Sequence, residues 1–216
     1  MNTQTTYPPE EELANRLTHG FGALLSVAGL VLLVMASVRY GDAWHITSSA
    51  IFGTTLVLLY SASTLYHSFE PENVRRLLQK FDHAAIFLLI AGTYTPFMLV
   101  TLRGPWGWSL FGVVWGLAVA GIVLKFWFAG RFNFVSTLIY LGMGWLVMIA
   151  IKPLITGLPR GGLAWLIAGG LCYSGGTFFY LREKMRYHHA IWHVFVLGGS
   201  VCHWIAVYGW VLPGRS

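Results

Sequence analysis

The sequence predicts an all-α integral membrane protein, a bundle of seven transmembrane helices, and three observations support this prediction. Of the 216 residues, 56% are hydrophobic and only 10% are charged, whereas an ordinary soluble domain has about 25% charged residues. The apolar residues fall in seven continuous stretches, each close to the ~20 residues that a helix needs to cross a bilayer. Continuous runs of this length also disfavour a β-barrel, whose strands alternate over roughly ten residues.

The seven expected spans are separated by short connections that carry turn residues. A polar segment at residues 1–19 comes first, and it lacks the basic region of a cleaved signal peptide. We expect a single domain over residues 1–216, because no connection is long enough for a second one. The spans are predicted at residues 20–38, 47–67, 84–102, 108–128, 134–151, 162–181 and 190–211.

The distribution of basic residues predicts the orientation of the chain. A cytoplasmic N-terminus places nine of the 14 lysine and arginine residues inside and five outside, in line with the positive-inside rule. The inner residues are Arg16, Arg75, Arg76, Lys80, Lys125, Arg131, Arg182, Lys184 and Arg186, and the outer ones are Arg39, Arg103, Lys152, Arg160 and Arg215. We therefore expect a cytoplasmic N-terminus, a periplasmic or extracellular C-terminus and a plasma (inner) membrane location. The net charge of +6 suits anionic lipid headgroups rather than nucleic acid.

Small and special residues within the spans predict how the helices pack. Gly112 and Gly116 have the GxxxG spacing that lets helices approach closely in lipid, and we expect it to serve packing within the bundle rather than dimerisation. Pro96 is expected to kink the third span, because proline interrupts the helical hydrogen bonds. Cys172 and Cys202 lie in apolar stretches and are expected to be buried free thiols.

Polar residues gather at the ends of three spans. "SASTLYH" closes span two with Ser63 and His67 on one helix face, "KFDHAAIF" opens span three with Asp82, and "HHAIWH" opens span seven with His189 and His193. The predicted topology brings these three ends to the cytoplasmic side of the membrane. Ionisable groups within a membrane are costly and usually functional, so their convergence indicates a site.

The spacing of the histidines suggests a metal site. His189 and His193 are one turn apart, about 40° around the helix axis and ~6 Å along it, which suits the binding of one metal ion by two imidazoles. His67 would complete the three-ligand set of an open zinc site, with water in the fourth position. Each feature alone has a simpler interpretation: interfacial histidines that extend toward water, a helix cap at Asp82 and a packing or backbone-bonding role for Ser63.

The remaining histidines are not expected to bind the metal. His203 lies ~15 Å further along the helix than the last predicted ligand, and we expect it to be a buried hydrogen-bonding residue. His188 points about 100° away from its neighbour. His19 lies at a depth that allows it to support the ligands. His83 either supports the ligands or lies at the membrane interface, and His45 is expected in an outer loop.

Five stretches together resemble a known family: "LTHGFGALLSVAGL", "SASTLYHSF", "FDHAAIFLLIAGTYTPF", "GMGWLVMIAIKPL" and "YHHAIWHVFVLGGSVCHW". The chain is similar to the bacterial hemolysin III (TrhA-type) family of the progestin and adipoQ receptor (PAQR) superfamily over nearly its whole length after about residue 10. The resemblance implies seven helices, a cytoplasmic N-terminus and an intramembrane zinc site with His67, His189 and His193 as ligands. It further implies that Asp82 holds the water in the fourth position and that Ser63 matches the family's remaining polar position. The family is grouped with alkaline ceramidases, which suggests hydrolysis of a lipid amide.

Three functions are compatible with these features. In the first, zinc activates water, Asp82 is the general base and Ser63 donates to the oxyanion, so that a lipid amide from the bilayer is hydrolysed in membrane homeostasis. In the second, the zinc is structural and joins spans two and seven in a non-catalytic membrane sensor or receptor. In the third, the chain is a pore-forming hemolysin, although no helix has the polar face that would line a wide pore. Membrane lipids are the expected partners, with a lipid-like substrate in the first case.

Overall fold

The fold is that of a computed structural model that describes residues 7–128 and 132–213. Within these residues the chain forms helices and turns and contains no strand. The α-helices are α1 (Pro9–Tyr40), α2 (Ala43–Tyr66), α3 (Glu72–Pro96), α4 (Pro105–Phe128), α5 (Asn133–Gly144), α6 (Ile151–Gly157), α7 (Arg160–Tyr180) and α8 (His188–Ala206). Two π-helical turns, Phe97–Thr101 and Val207–Val211, and one 3₁₀ turn, Leu146–Ala150, extend or join them.

Seven helical segments of the described chain are long and apolar enough to cross a membrane. This confirms the predicted fold class, with α5 and α6 together forming the fifth span. Large apolar side chains such as Leu24, Val38 and Trp127 point outward and are exposed, as expected for a surface that faces lipid. The orientation relative to the cytoplasm stays a prediction. Arg131 and Arg215, which contributed to that prediction, lie outside the described residues, as do residues 1–6 of the predicted polar segment.

The first helix begins much earlier than the sequence predicted. A polar segment was expected up to residue 19, but α1 begins at Pro9. Proline is well suited to the first position of a helix because its missing N–H needs no partner there. Three glutamates follow in the first turn, where they interact favourably with the positive end of the helix dipole. The consequence is that residues 9–19 form about three helical turns, in which Glu11, Asn15 and His19 are buried.

The bundle is organised around α1, α2 and α8. α1 packs against both α2 and α8, α7 pairs with α8, α3 lies between α2 and α4, and α5 contacts α3 and α7. Hydrogen bonds between buried side chains join these helices, as is common in membrane interiors. Tyr60 of α2 donates to Ser200 of α8 at 2.7 Å, and Ser37 of α1 donates to Ser49 of α2 at 2.8 Å. The two cysteines, Cys172 and Cys202, are free thiols as expected, but both are half-buried rather than buried.

Glycines allow close helix contact, but not at the predicted positions. Gly92 of α3 lies directly against the side chain of Thr55 of α2, so that a Cβ there would overlap it. A Cβ on Gly112 or Gly116 would meet no atom of the described chain within 4 Å. The expectation that this GxxxG pair packs within the bundle is therefore wrong. Its spacing places both residues on one helix face, and that face of α4 points outward.

The fifth span is broken near its middle, which the sequence did not predict. α5 ends at Gly144, and the chain makes the 3₁₀ turn before α6 begins. The hydroxyl of Tyr94 lies 3.0 Å and 2.6 Å from the carbonyls of Met143 and Gly144, and it accepts from the N–H of Val147 at 2.9 Å. One side chain thus satisfies backbone groups that lipid cannot satisfy. The third span also changes pitch, because Pro96 ends α3 and a π-helical turn follows it.

Candidate metal centre

The three predicted metal-binding histidines come from two helix ends that meet inside the bundle. His67 is the residue at which α2 ends, and its backbone N–H donates to the carbonyl of Ser63 at 3.0 Å. His189 and His193 lie at the start of α8. The ring centroids of the three histidines are 4.5, 5.1 and 5.2 Å apart. One nitrogen from each ring lies within 4.8 Å of the other two. This three-histidine cluster is buried and can hold a metal ion.

The position of α8 is set by an unusual turn. Tyr187, which precedes the helix, has φ 58° and ψ 17°, in the left-handed region that bulky residues rarely adopt. Such conformations persist only where the surrounding structure holds them, and they concentrate at functional sites. The turn fixes where α8 begins, and so where His189 and His193 stand relative to the end of α2.

The first helix supplies polar contacts to two of the histidines. Nδ1 of His67 lies 2.6 Å from a carboxylate oxygen of Glu12. Nδ1 of His193 lies 3.2 Å from the Thr18 hydroxyl and 3.2 Å from the Asn15 carbonyl. In both rings Nδ1 thus faces α1, while the other nitrogen remains available.

Unpaired polar atoms are concentrated around the cluster. Buried polar groups normally have hydrogen-bond partners, and each one left without a partner costs about 1–3 kcal/mol. Within the described part of the chain, the following buried atoms near the site lack a partner: both side-chain polar atoms of Asn15, both ring nitrogens of His19, Oγ of Ser63, Nε2 of His67 and Nδ1 of His189. The unpaired ring nitrogens can offer lone pairs to a cation, and the amide and hydroxyl groups can bond to solvent attached to it, so these residues fit a bound metal ion.

Asp82 and Ser63 lie beside the cluster and line the same cavity as His189 and His193. Asp82 lies in the third turn of α3, which begins at Glu72, so the alternative interpretation of Asp82 as a helix cap is wrong. The Ser63 hydroxyl is close enough to interact with the Asp82 carboxylate, but it makes no hydrogen bond of normal geometry to any described residue. Both side chains are almost fully buried, and both are available to a bound molecule.

The cavity has a volume of about 120 Å³ and extends away from the polar cluster. Its walls are mainly apolar, and they include Ile86, Leu89 and Val196. Tyr173 and His203 line it as well, and His203 lies ~15 Å along α8 from the nearest metal-binding histidine. An elongated apolar chamber with a polar end suits an amphipathic molecule with one long chain.

Tyr7 covers the cluster from the side where α1 begins. Its ring stacks on that of His189 with centroids 5.1 Å apart, and it lies 6.3 Å from the ring of His67. Burial is the main reason why the pKa of the Tyr7 phenol is raised above its usual value. Tyr7 is therefore a neutral, mostly apolar cover that separates the histidines from the water beyond the helix end.

The other histidines take varied positions. His203 is buried, and its Nε2 lies 3.1 Å from the Leu166 carbonyl, which confirms that it is a buried hydrogen-bonding residue. His19 stacks on His193 of the three-histidine cluster, and His83 lines the cavity. His188 is buried outside the three-histidine cluster. His45 was expected in a loop, but it lies in the first turn of α2, where Asp42 caps the helix.

Sequence reasoning missed the contribution of α1 beyond His19. Glu12 contacts His67, and Asn15 and Thr18 contact His193, yet residues 1–19 were interpreted as a polar segment before the first span. A signal was present in "EEELANRLTH", where polar residues recur at positions 12, 15 and 19. Spacings of three and four residues place side chains on one helix face, so these residues predict a polar stripe that faces the bundle.

The seven helices and the buried histidines define a class: a multi-pass membrane protein with a buried site that can hold a metal ion. Comparison with known proteins narrows this class to a family. The family profile described as "Haemolysin-III related" matches residues 7–204, which is nearly the whole chain, and the chain belongs to this family. A location in the plasma membrane, the inner membrane of a bacterial cell, fits both the helices and the family.

Individual relatives support this assignment. The chain is 48% identical over 214 residues to Hemolysin-3 of Bacillus cereus, covering 99% of this chain and 98% of the relative. It is 50% identical over 198 residues to a Hemolysin-3 homolog of Bacillus subtilis, covering 92% and 93%. It is 28% identical over 204 residues to the human monocyte to macrophage differentiation factor, covering 92% and 83%. This last similarity fits the wider superfamily.

Proposed function

We propose that the chain is a zinc-dependent hydrolase of lipid amides that acts in membrane homeostasis. One observation carries the proposal. Three buried imidazoles form one cluster, and two of them, those of His189 and His193, line a mainly apolar cavity together with Asp82 and Ser63. A purely structural cation would need neither the two extra polar side chains nor the cavity.

Zinc suits the residues that would hold it. Imidazole nitrogen is one of its preferred ligands, and three protein ligands are typical of catalytic rather than structural zinc sites. His67, His189 and His193 would provide these ligands. When bound in such a site, zinc supplies Lewis acidity, which polarises a carbonyl and lowers the pKa of water from 15.7 to about 7.

Asp82 would act as the general base. Its carboxylate is nearly fully buried and lines the cavity together with two of the ligands, His189 and His193. A carboxylate within hydrogen-bond reach of the attacking water accepts its proton, and the protonated acid can then deliver that proton to the leaving amine. The Ser63 hydroxyl has an unused donor and lies next to this carboxylate, so it can stabilise negative charge that develops on the carbonyl oxygen.

The shape of the cavity favours a lipid substrate. Its apolar walls would hold an acyl chain, since burial of each methylene contributes about 0.8 kcal/mol. The polar groups at the end near α1 would then face the head of the lipid. The resemblance to a family grouped with alkaline ceramidases favours an amide bond at this position.

A pair of matched aspartate variants tests the proposal. Asp82→Asn should retain zinc and lose turnover of a long-chain lipid amide by about 10²–10⁴-fold, measured by mass spectrometry of the released fatty acid from protein in detergent or vesicles. Asp42→Asn changes the chain's other aspartate, which caps the start of α2, whereas His67 lies at the end of that helix. This control variant should leave turnover unchanged. Equal turnover by wild type and Asp82→Asn would contradict the proposed role of Asp82.

The same preparations distinguish the alternatives. If wild-type protein holds zinc but cleaves none of a panel of lipid amides, and His193→Ala unfolds at a much lower temperature, the zinc is structural. If the protein releases dye from sealed liposomes, it forms a pore, as the names of the Bacillus relatives suggest for those proteins. The hydrolase proposal predicts cleavage without leakage.

A further inference from the structure

Glu12 makes two charge-assisted contacts at the edge of the three-histidine cluster. One carboxylate oxygen lies 2.6 Å from Nδ1 of His67, and the other forms an ion pair with the guanidinium of Arg75. The three residues belong to α1, to the end of α2 and to α3. The side chain of His67 is 0% exposed and that of Glu12 is 16% exposed, so solvent has little access to their contact.

The chemistry of this contact fixes the state of the imidazole. An ionised carboxylate can only accept hydrogen bonds, so the proton of a neutral His67 must lie on Nδ1. Nε2 is then left with a lone pair, and this atom is buried without a partner among the described residues. In the opposite tautomer, two acceptors would face each other across 2.6 Å. The contact therefore makes Nε2 the nitrogen that is free to bind a cation.

Arg75 holds the Glu12 carboxylate in place. Its guanidinium contacts the second oxygen of Glu12, and it also lies over the ring of Tyr66, 5.4 Å from the centroid. Tyr66 immediately precedes His67 in the chain. The guanidinium can only donate hydrogen bonds, and its planar geometry limits rotation of the carboxylate that accepts from it.

We propose that Glu12 is a positioning residue for metal binding, and that it holds His67 in the orientation and tautomer that present Nε2 to the ion. The inference rests on the metal site of the proposed function. When a metal-ligating histidine loses the carboxylate that accepts a hydrogen bond from its other ring nitrogen, metal affinity typically falls by 10–100-fold. Glu12 would thus make α1 a functional part of a site whose ligands lie on α2 and α8.

A merely structural role for Glu12 makes a different prediction. If the ion pair with Arg75 only fastens α1 to α3, loss of the carboxylate would lower thermal stability equally with and without metal, and it would leave metal affinity unchanged. Metal affinity of the folded protein is therefore the deciding measurement, because it reports on His67 rather than on helix packing.

The experiment compares three variants with wild type. Glu12→Ala removes the partner, Glu12→Gln keeps its shape but loses its charge, and Glu10→Gln changes an exposed acid in the same helical turn that pairs with Arg186. Co²⁺ binding to metal-free protein is measured by competition with a chromophoric chelator and by the visible spectrum of the bound ion. Melting temperatures with and without Co²⁺ are recorded on the same samples.

The expected order of affinity is wild type and Glu10→Gln first, with both Glu12 variants weaker by 10–100-fold. Glutamine can turn its amide N–H toward Nδ1, which favours the wrong tautomer, so Glu12→Gln is a full test even if Glu12→Ala does not fold. Wild-type affinity in folded Glu12→Gln, together with loss of binding in His67→Ala, would overturn the role of Glu12 and leave the metal site standing. Absence of Co²⁺ and Zn²⁺ binding by wild type would overturn both.

Discussion

The ring of His19 lies against the ring of His193, with centroids 3.5 Å apart and planes only 12° from parallel. His193 is thus held on two sides by α1, since its Nδ1 also contacts Thr18 and Asn15. Neither nitrogen of His19 has a hydrogen-bond partner within the described chain. The contact of His19 with the cluster is therefore made through the face of its ring.

This geometry predicts that the ring of His19 matters more for metal binding than its nitrogen atoms. His19→Phe keeps an aromatic face against His193, and it should retain Co²⁺ affinity within about threefold of wild type. His19→Ala leaves a gap beside a ligand and should weaken binding by about tenfold or more, as expected when support behind a ligand is lost. Equal losses in both variants would instead show that a nitrogen of His19 contributes directly to the site.

The hydroxyl of Tyr94 should be a major determinant of stability. Tyr94→Phe removes the partner of backbone groups around the break in the fifth span, and lipid offers no substitute. We expect a loss on the order of 3 kcal/mol, measured by reversible unfolding in mixed micelles. Tyr187→Phe, in the turn before α8, is the matched removal of a hydroxyl outside the bundle core and should change stability little. If Tyr94→Phe lost no more stability than Tyr187→Phe, the role assigned to Tyr94 would be contradicted.

Two glycine-to-alanine substitutions should have opposite outcomes. Gly92→Ala forces a methyl group into Thr55, and such overpacking typically costs about 1–3 kcal/mol. Gly116→Ala places the methyl in open space on the outward face of α4, and it should be tolerated or slightly stabilising because alanine favours the helix. Thermal unfolding in detergent measures both. Destabilisation of the isolated chain by Gly116→Ala would show that this face packs against something.

The cap of α2 should make a pH-dependent contribution to stability. A side-chain hydrogen bond from His45 is the main reason why the pKa of the Asp42 carboxyl is lowered below its usual value. A lowered pKa in the folded state means that stability is fully present above the usual value and is lost as pH falls through the lowered one. Asparagine caps helices about as well as aspartate, but it carries no charge and its contribution does not change with pH. Metal-free Asp42→Asn should therefore melt at a lower temperature than wild type near neutral pH, and the two melting temperatures should converge in acid. A pH-independent difference would contradict this assignment.

Much of the architecture was predictable because lipid imposes a simple rule on the sequence. A span must be long and apolar, and this condition alone indicated the seven crossings. The spacing of His189 and His193 and the shared depth of His67 followed from helix geometry, and the structure brings these three residues together. Their metal and the roles of Asp82 and Ser63 remain predictions.

The features of the fold that the sequence did not reveal depend on contacts between residues that are far apart in the chain. The break after Gly144 is stabilised by Tyr94, which lies 50 residues earlier in the chain, and no local pattern shows that contact. The outward position of Gly112 depends on the rotation of α4 about its axis, which GxxxG spacing does not specify. Glu12 was overlooked because hydropathy marks where lipid begins, whereas a helix can start several turns earlier among polar residues.

The most direct test of the account is metal analysis of the purified protein combined with anomalous scattering at the zinc absorption edge. The account predicts one zinc ion per chain, located between His67, His189 and His193, and its loss in His67→Ala. A protein without zinc, or a zinc signal that lies away from these three rings, would contradict the central claim.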